Sequence, residues 1–389
     1  MMNQQYEYSI VISPNLRFKQ KKDSFIVVNE YNGNKVRFKN NSVEQLLKYF
    51  DKPRKISDAL KVMDGKTREN EEIIKKLVEW DFLIVDLGLS ERNCPLCQSN
   101  DNSLLVEHQN DYYQRKFKYV KCNNCGLVFL NPAPNEKALN FFYSFKNYYS
   151  VIPINSKQKF EKKLELKSNM LRTSILLEYY KLNENTKILD VGSGTGNFAS
   201  YLNKTFGCDV TCIDKDPQAL NYIEKNFPEI KTLNGDFKNA NIDTKFDVIT
   251  MWGYIEHEFD PVITLKKASE LLVTEGLLVI DAPNIEGKLA HKSLKDWPYL
   301  HSPYHICHFS PNTLSSLAKK TGFNPIELIY RKTGAYLLKY SETVLHILYK
   351  YNLFFSSGLL DRLTYYISKI FMPFESKYDN RFITILKKL

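Results

Sequence analysis

Apolar residues recur along this chain in three rhythms, and the change from one to the next marks its organisation. From Lys187 onward, short apolar runs alternate with stretches of helical spacing. The runs are Ile188–Val191, Val210–Ile213, Ile230–Leu233, Phe246–Trp252, Leu277–Asp281, Ile326–Tyr330 and Phe382–Leu386. Helical spacing falls on Phe198–Leu202, Pro217–Asn226, Pro261–Leu272 and Pro311–Thr321. Fully apolar strands separated by helices predict a parallel, doubly wound α/β sheet of seven strands.

Residues 1–90 follow a different rhythm. Strand-like segments at Tyr6–Ile12, Leu16–Lys19, Phe25–Asn29 and Val36–Phe38 precede three helical patterns. The first helix carries Val43, Leu46, Leu47 and Phe50 behind a cap at Asn41 or Ser42, the second opens at Ser57, and the third spans Glu71–Trp80. Phe82–Val85 closes the segment as a short strand, so the order predicts a winged-helix-like α+β module. Residues 135–183 read as a helical linker or cap, with a long basic helix over Lys157–Tyr180. Between the last two strands of the sheet, residues 335–376 hold two amphipathic patterns rich in Tyr and Phe. Packing onto the sheet or onto a second copy in a homodimer is the expectation for this insertion, and a membrane-surface helix is the alternative.

Composition changes this picture little. With 389 residues, 43% hydrophobic and 25% charged, the chain has ordinary globular content and length for two to three domains. The absence of a secretory signal pattern, and of any apolar run near 18 residues, predicts a cytoplasmic protein. The net charge of +10 is spread as +3 over residues 1–90, +6 over 91–183, −3 over 184–334 and +4 over 335–389. No block of like charge stands out, so a solvated lysine-rich surface is expected and a nucleic-acid partner is not.

Cysteine spacing is more specific. Cys94 and Cys97 form one Cys-x-x-Cys, Cys122 and Cys125 a second, and 24 residues separate the two. Each pair can fold as a knuckle that turns two thiolates to one side of a metal, and together they complete a tetrahedral S₄ set. A structural Zn²⁺ ribbon over residues 91–134 is therefore expected.

The stretch KILDVGSGTG, Lys187–Gly196, carries the candidate chemistry. Its glycines follow G-x-G-x-G, whereas a dinucleotide turn would read G-x-G-x-x-G. Such a turn lets a ligand approach bare backbone at a helix N-terminus. Carboxylates recur where ligands bind in such sheets, at strand C-termini. Asp190 can accept from an amino group, Asp214 can take two ribose hydroxyls, and Asp236 with Phe237 can meet an adenine amine and ring. S-adenosylmethionine, which has no pyrophosphate, fits this set.

These residues also carry a resemblance. ILDVGSGTG, CIDKDP, NGDF, FDVITMWGYIEHEFDP and HICHFSPNTLSSLAKKTGF closely resemble class I S-adenosylmethionine-dependent methyltransferases over residues 184–334, a Rossmann-like fold. The resemblance implies cofactor contacts from Asp190, Gly192, Ser193, Gly194, Gly196, Asp214, Lys215, Asp236 and Phe237, with Trp252 near the reacting methyl. Glu275-Gly276 departs from the usual Gly-Gly, which touches only a turn. The cysteine knuckles with GLVFLNPAP resemble the zinc module attached to a group of bacterial methyltransferases. Residues 6–86 resemble in pattern the RiPP recognition element, the peptide-binding domain also known from pyrroloquinoline quinone biosynthesis. That implies capture of a leader peptide as an added strand.

Candidate acid–base residues are His257, His305 and His308, with Glu256 beside them. His305-x-x-His308 flanks Cys307, but no third ligand for a metal is evident, and a substrate-pocket role is preferred. The acceptor is expected to be a ribosomal peptide. A sugar or other small metabolite is the alternative, and a cofactor-binding scaffold without activity is a second one.

Overall fold

The computed structural model describes residues 9–21, 24–38, 41–62, 67–145, 159–331 and 380–389. The insertion at 335–376, the break at 148–153 and the first residues of the predicted Tyr6–Ile12 strand lie outside them. Two compact units are present. One comprises residues 1–92, 107–118 and 131–148, and the other residues 93–106, 119–130 and 149–389.

The first unit contains strands β1 (Ser9–Ile12), β2 (Leu16–Lys21), β3 (Ser24–Asn29) and β4 (Lys35–Phe38), then helix α1 (Asn41–Tyr49). Strand β5 (Arg54–Lys55), helices α2 (Ile56–Val62) and α3 (Thr67–Glu79), and strand β6 (Leu83–Val85) follow. They form two antiparallel three-stranded sheets, ordered β2-β3-β4 and β5-β1-β6. Alternation does what the pattern requires: Phe25 and Val27 of β3 enter the core, where they meet Leu46, Leu47 and Phe50 of the first helix region and Ile74, Leu77 and Val78 of α3. The tip between two later strands, β7 (Asn102–Asn110) and β8 (Arg115–Cys122), belongs to this unit as well. Asn15 Nδ2 donates to the carbonyls of Asp111 and Tyr112, and the Tyr112 hydroxyl donates to Asp81 Oδ1 at 2.7 Å.

The second unit holds β9 (Val128–Leu130), helix α5 (Lys159–Tyr179) and a seven-stranded sheet; helix α4 (Glu136–Phe145) belongs to the first. The sheet strands are β10 (Lys187–Val191), β11 (Asp209–Asp214), β12 (Lys231–Asn234), β13 (Phe246–Trp252), β14 (Leu272–Pro283), β16 (Phe323–Arg331) and β17 (Arg381–Lys388). Their order is β12-β11-β10-β13-β14-β17-β16. Helices α6 (Asn197–Phe206), α7 (Pro217–Asn226), α8 (Pro261–Leu271) and α10 (Pro311–Lys320) connect them, with a short α9 (Lys288–Lys292) and a two-residue β15 (Cys307–His308) between β14 and α10.

The prediction of a wholly parallel sheet needs correction. The first five strands are parallel, but β17 inserts antiparallel between β14 and β16, making the sheet mixed. An apolar run such as Phe382–Leu386 reads the same in either direction, because burial on both faces demands apolar residues whichever way the strand points. Ile188, Leu189, Val248, Ile249, Val279 and Ile280 are fully buried at the sheet centre. The Glu275 departure also has a visible consequence. Glu275 is held at φ +66° near the start of β14, where the pairing with β13 is irregular, and its side chain pairs with Lys387. Beside it, a Cβ on Gly276 would lie 2.9 Å from the Val273 carbonyl oxygen.

Candidate active site

Strand β10 is central and delivers the chain into the glycine turn. Gly192, Gly194 and Gly196 have φ of 70°, 53° and 68°, the left-handed region that L side chains avoid. Two of them are also sterically required. A Cβ at Gly192 would sit 2.6 Å from Tyr254 Cδ2, and one at Gly196 would sit 2.8 Å from Ile223 Cγ1. The Gly192 N–H donates to the Ile213 carbonyl, while the Gly194 N–H donates to Asp214 Oδ2 at 2.8 Å. The turn at the end of β10 is thus tied to the carboxylate at the end of β11.

Asp214 also accepts from the Asp216 N–H at 2.9 Å, which leaves lone pairs on both oxygens for a further donor. Burial pushes its carboxyl above the ordinary range, and the backbone N–H bonds oppose that shift. Asp190 is 3% exposed and accepts from Thr250 Oγ1 at 2.7 Å. Burial lifts it to about 6, against the hydrogen bond and the charge of Arg172. Asp236 caps the short helical turn 237–239 through Oδ1 and pairs with Lys215 Nζ at 3.0 Å through Oδ2. The ring of Phe237, expected as an adenine platform, lies in the core at 1% exposure. At the end of β13, the Trp252 ring carries the Arg172 guanidinium 4.8 Å above it and packs edge-on to Phe198. Trp252 Nε1 is buried without a hydrogen-bond partner, and an orphaned donor beside a glycine turn fits a site that a polar ligand completes.

A second cluster lies beyond β13, on the turn 255–257 and the segment 297–310. His257 Nδ1 faces the Tyr304 carbonyl at 3.1 Å, and His305 Nδ1 faces the Tyr299 carbonyl at 2.7 Å. The two rings meet edge to face with centroids 4.7 Å apart, and His301 stands 5.1 Å from His305. Burial pushes His257 down to about 3, so its imidazole is neutral at physiological pH. Glu256 is 2% exposed, with Oε1 3.8 Å from Arg381, which is itself bonded to Asp281 Oδ1 at 3.0 Å. Burial lifts Glu256 to about 7 despite that guanidinium.

The structure also brings His305 and His308 together, with ring centroids 5.8 Å apart. His308 is 1% exposed and packs between Tyr119, at 4.9 Å, and Trp297, at 5.0 Å, which makes it a core residue. His305 also joins His257 and Glu256.

The four cysteines converge, as their spacing requires. Cys94 Sγ lies 3.5 Å from Cys125 Sγ, and Cys97 Sγ lies 3.5 Å from Cys122 Sγ. Edges of a tetrahedral site with metal–sulfur bonds of about 2.3 Å would be about 3.8 Å, so the set fits a zinc ion with small adjustment. Each knuckle closes through backbone, Gln98 N–H to Cys94 O and Gly126 N–H to Cys122 O. This region is built onto the sheet domain: β9 pairs with β15, Val128 opposite His308, and Lys320 Nζ donates to the Leu96 carbonyl at 2.6 Å.

Arg172, Tyr254 and Arg381 also contribute to the site, and sequence reasoning missed all three. Arg172 is one basic residue among many on α5, and Arg381 reaches Glu256 and Asp281 only because β17 inserts beside β14. Tyr254, two residues after Trp252, was within reach of the motif argument.

Residues 161–328 match the family model described as a methyltransferase domain. That span holds every strand-end carboxylate described above and both clustered histidines. A Mycobacterium tuberculosis protein named "Probable S-adenosylmethionine-dependent methyltransferase" is 23% identical over 137 residues, 35% of this chain and 48% of that protein. The ubiquinone biosynthesis O-methyltransferase of Actinobacillus pleuropneumoniae is 31% identical over 109 residues, 25% of this chain and 46% of the relative. The chain spans about half the length of these curated relatives. The crystal structure of a SAM-dependent methyltransferase from Archaeoglobus fulgidus aligns with a TM-score of 0.41 and 17% identity, over 62% of this chain and all of that one. Among the described residues, no helix is long and apolar enough to cross a membrane.

Proposed function

We propose that the chain is an S-adenosylmethionine-dependent methyltransferase whose acceptor is a ribosomally made peptide held by residues 1–90. The observation that carries the first half is the tie between Gly194 N–H and Asp214 Oδ2, which sets a carboxylate beside bare backbone at the sheet's strand ends. The cofactor, when bound, supplies a sulfonium-activated methyl group. Asp214 accepts a ribose diol, Asp190 accepts from an amino group, and the Trp252 ring with Arg172 walls the side toward α5. Methyl transfer from such a donor needs alignment and exclusion of water more than it needs acid–base help. Burial holds the His257 and His305 imidazoles below the ordinary histidine range at this end of the sheet. The cysteines hold a structural Zn²⁺, since four protein thiolates leave no open coordination position.

Support for a peptide acceptor comes from β4, which ends its sheet and pairs only with β3 among the described strands. Its residues alternate between exposed and half-buried. An edge of this kind can take an extended peptide as a further strand. A small-metabolite acceptor is the second reading, favoured by relatives such as the (S)-coclaurine N-methyltransferase of Papaver somniferum, 29% identical over 126 residues.

The test is incubation of the full chain with isotopically labelled S-adenosylmethionine and peptides encoded by short reading frames beside its gene, followed by mass spectrometry. Gain of one methyl group on a peptide, lost when its leader is removed, supports the proposal. Methylation confined to small acceptors would establish the second reading. No binding of the cofactor in calorimetry would sink both.

A further inference from the structure

We infer that Glu256, His257 and His305 form a second metal site, separate from the four cysteines, for a divalent transition-metal ion. One donor atom from each of the three residues lies within 4.8 Å of the others. Around an ion with bonds of about 2.1 Å, tetrahedral edges are about 3.4 Å, so side-chain movements on the order of 1 Å close the set.

The tautomers favour ligation. A carbonyl oxygen only accepts, so the contacts of His257 Nδ1 with Tyr304 O and of His305 Nδ1 with Tyr299 O put the ring hydrogen on Nδ1 in both residues. The basic lone pair is then on Nε2 in each. An imidazole fixed through its other nitrogen by a backbone carbonyl is the outer-shell arrangement that orients metal-bound histidines. The carboxylate supplies the independent observation: Glu256 Oε1 faces Arg381, while Oε2 is buried and has no hydrogen-bond partner. A carboxylate oxygen buried in that way is costly unless something binds it. Arg381 does not fill the role: it approaches Oε1, at 3.8 Å, which is beyond hydrogen-bond distance.

Donor chemistry selects the ion. Two imidazoles and one carboxylate suit zinc, iron(II) or cobalt(II) in preference to magnesium or calcium, which take oxygen ligands. Three protein ligands leave at least one position open, in contrast to the closed thiolate set. Glu256 and His257 lie four and five residues beyond the last residue of β13, at the same end of the sheet as the glycine turn. An ion there can hold an oxygen or nitrogen of an acceptor.

Cobalt(II) titration of the full-length protein tests this directly. Two equivalents should bind, one giving the near-ultraviolet thiolate charge-transfer band and one giving visible bands without it. In the variant Glu256→Gln/His305→Asn the charge-transfer band should persist, and affinity for the second equivalent should fall at least about tenfold. That persisting band, with an unchanged circular dichroism spectrum, reports that the variant is folded. Should the variant not fold, the wild-type protein still decides the matter: the second cobalt should produce exchangeable, paramagnetically shifted imidazole N–H proton signals. Saturation at one equivalent, a second equivalent without shifted imidazole signals, or a second equivalent undiminished in the folded variant would overturn the inference.

Discussion

Gly192→Ala should be the most damaging single methyl group that can be added to the glycine turn. The residue has φ +70°, where a side chain costs about 1–2 kcal/mol. The new Cβ would meet Tyr254 Cδ2 at 2.6 Å, and overpacking of a filled site costs about 1–3 kcal/mol more. Together about 2–5 kcal/mol is expected. For a domain of this size each kcal/mol lowers Tm by about 2–4 °C, so a drop on the order of 10 °C follows. Two comparisons separate the terms. Gly33→Ala shares the backbone angle, φ +75°, but has nothing within 4 Å, so it should lose only about 1–2 kcal/mol. In the background Tyr254→Ala, the Gly192→Ala cost should shrink to that same backbone value, which a double-mutant cycle reads directly. Urea unfolding followed by circular dichroism gives all four values. A Gly192→Ala protein within 0.5 kcal/mol (about the error of additivity) of wild type, or an undiminished cost in the Tyr254→Ala background, would refute the steric argument.

Asp214→Ala should weaken S-adenosylmethionine binding by over about a hundredfold, because two charge-assisted hydrogen bonds of about 1.5–3 kcal/mol each are lost, with the protein still folded; unchanged affinity in calorimetry would show that the carboxylate does not hold the cofactor. Asp190→Asn should raise the stability of the ligand-free protein at neutral pH. With its folded pKa lifted from 3.8 to about 6, Asp190 keeps its proton in the folded state longer than in the unfolded one, so stability falls as pH rises between those values. The amide should remove up to about 3 kcal/mol of that loss, seen as a flatter Tm-against-pH profile from pH ~4 to ~6. Cys122→Ser should cut zinc content by one equivalent in metal analysis and lower Tm; wild-type protein with less than about half an equivalent would count against the thiolate site. Glu275→Gly should leave stability unchanged or raise it by up to about 1 kcal/mol in urea melts, since it relieves the +66° backbone at the loss of one half-exposed ion pair.

Periodicity and spacing made much of this protein legible. Seven apolar runs located all seven strands of the sheet, most plainly the five inner ones, where burial on both faces leaves mostly apolar side chains; the edge strands β12 and β16 are partly exposed. The alternate glycines were readable because a left-handed turn that also excludes Cβ admits no other residue, and the cysteine pairs because a knuckle has a fixed spacing. Properties that depend on who meets whom were not readable. Strand direction is invisible to an apolar run, so the antiparallel insertion of β17, and with it the placement of Arg381 against Asp281 and Glu256, emerged only in the folded sheet. His305 and His308 are equivalent as sequence, yet one meets His257 and Glu256 while the other is enclosed by Tyr119 and Trp297. Local patterns carry the chemistry of single elements, since backbone geometry repeats every two or 3.6 residues. A cluster assembled from residues 48 positions apart, as Glu256, His257 and His305 are, exists only once packing has brought two segments together.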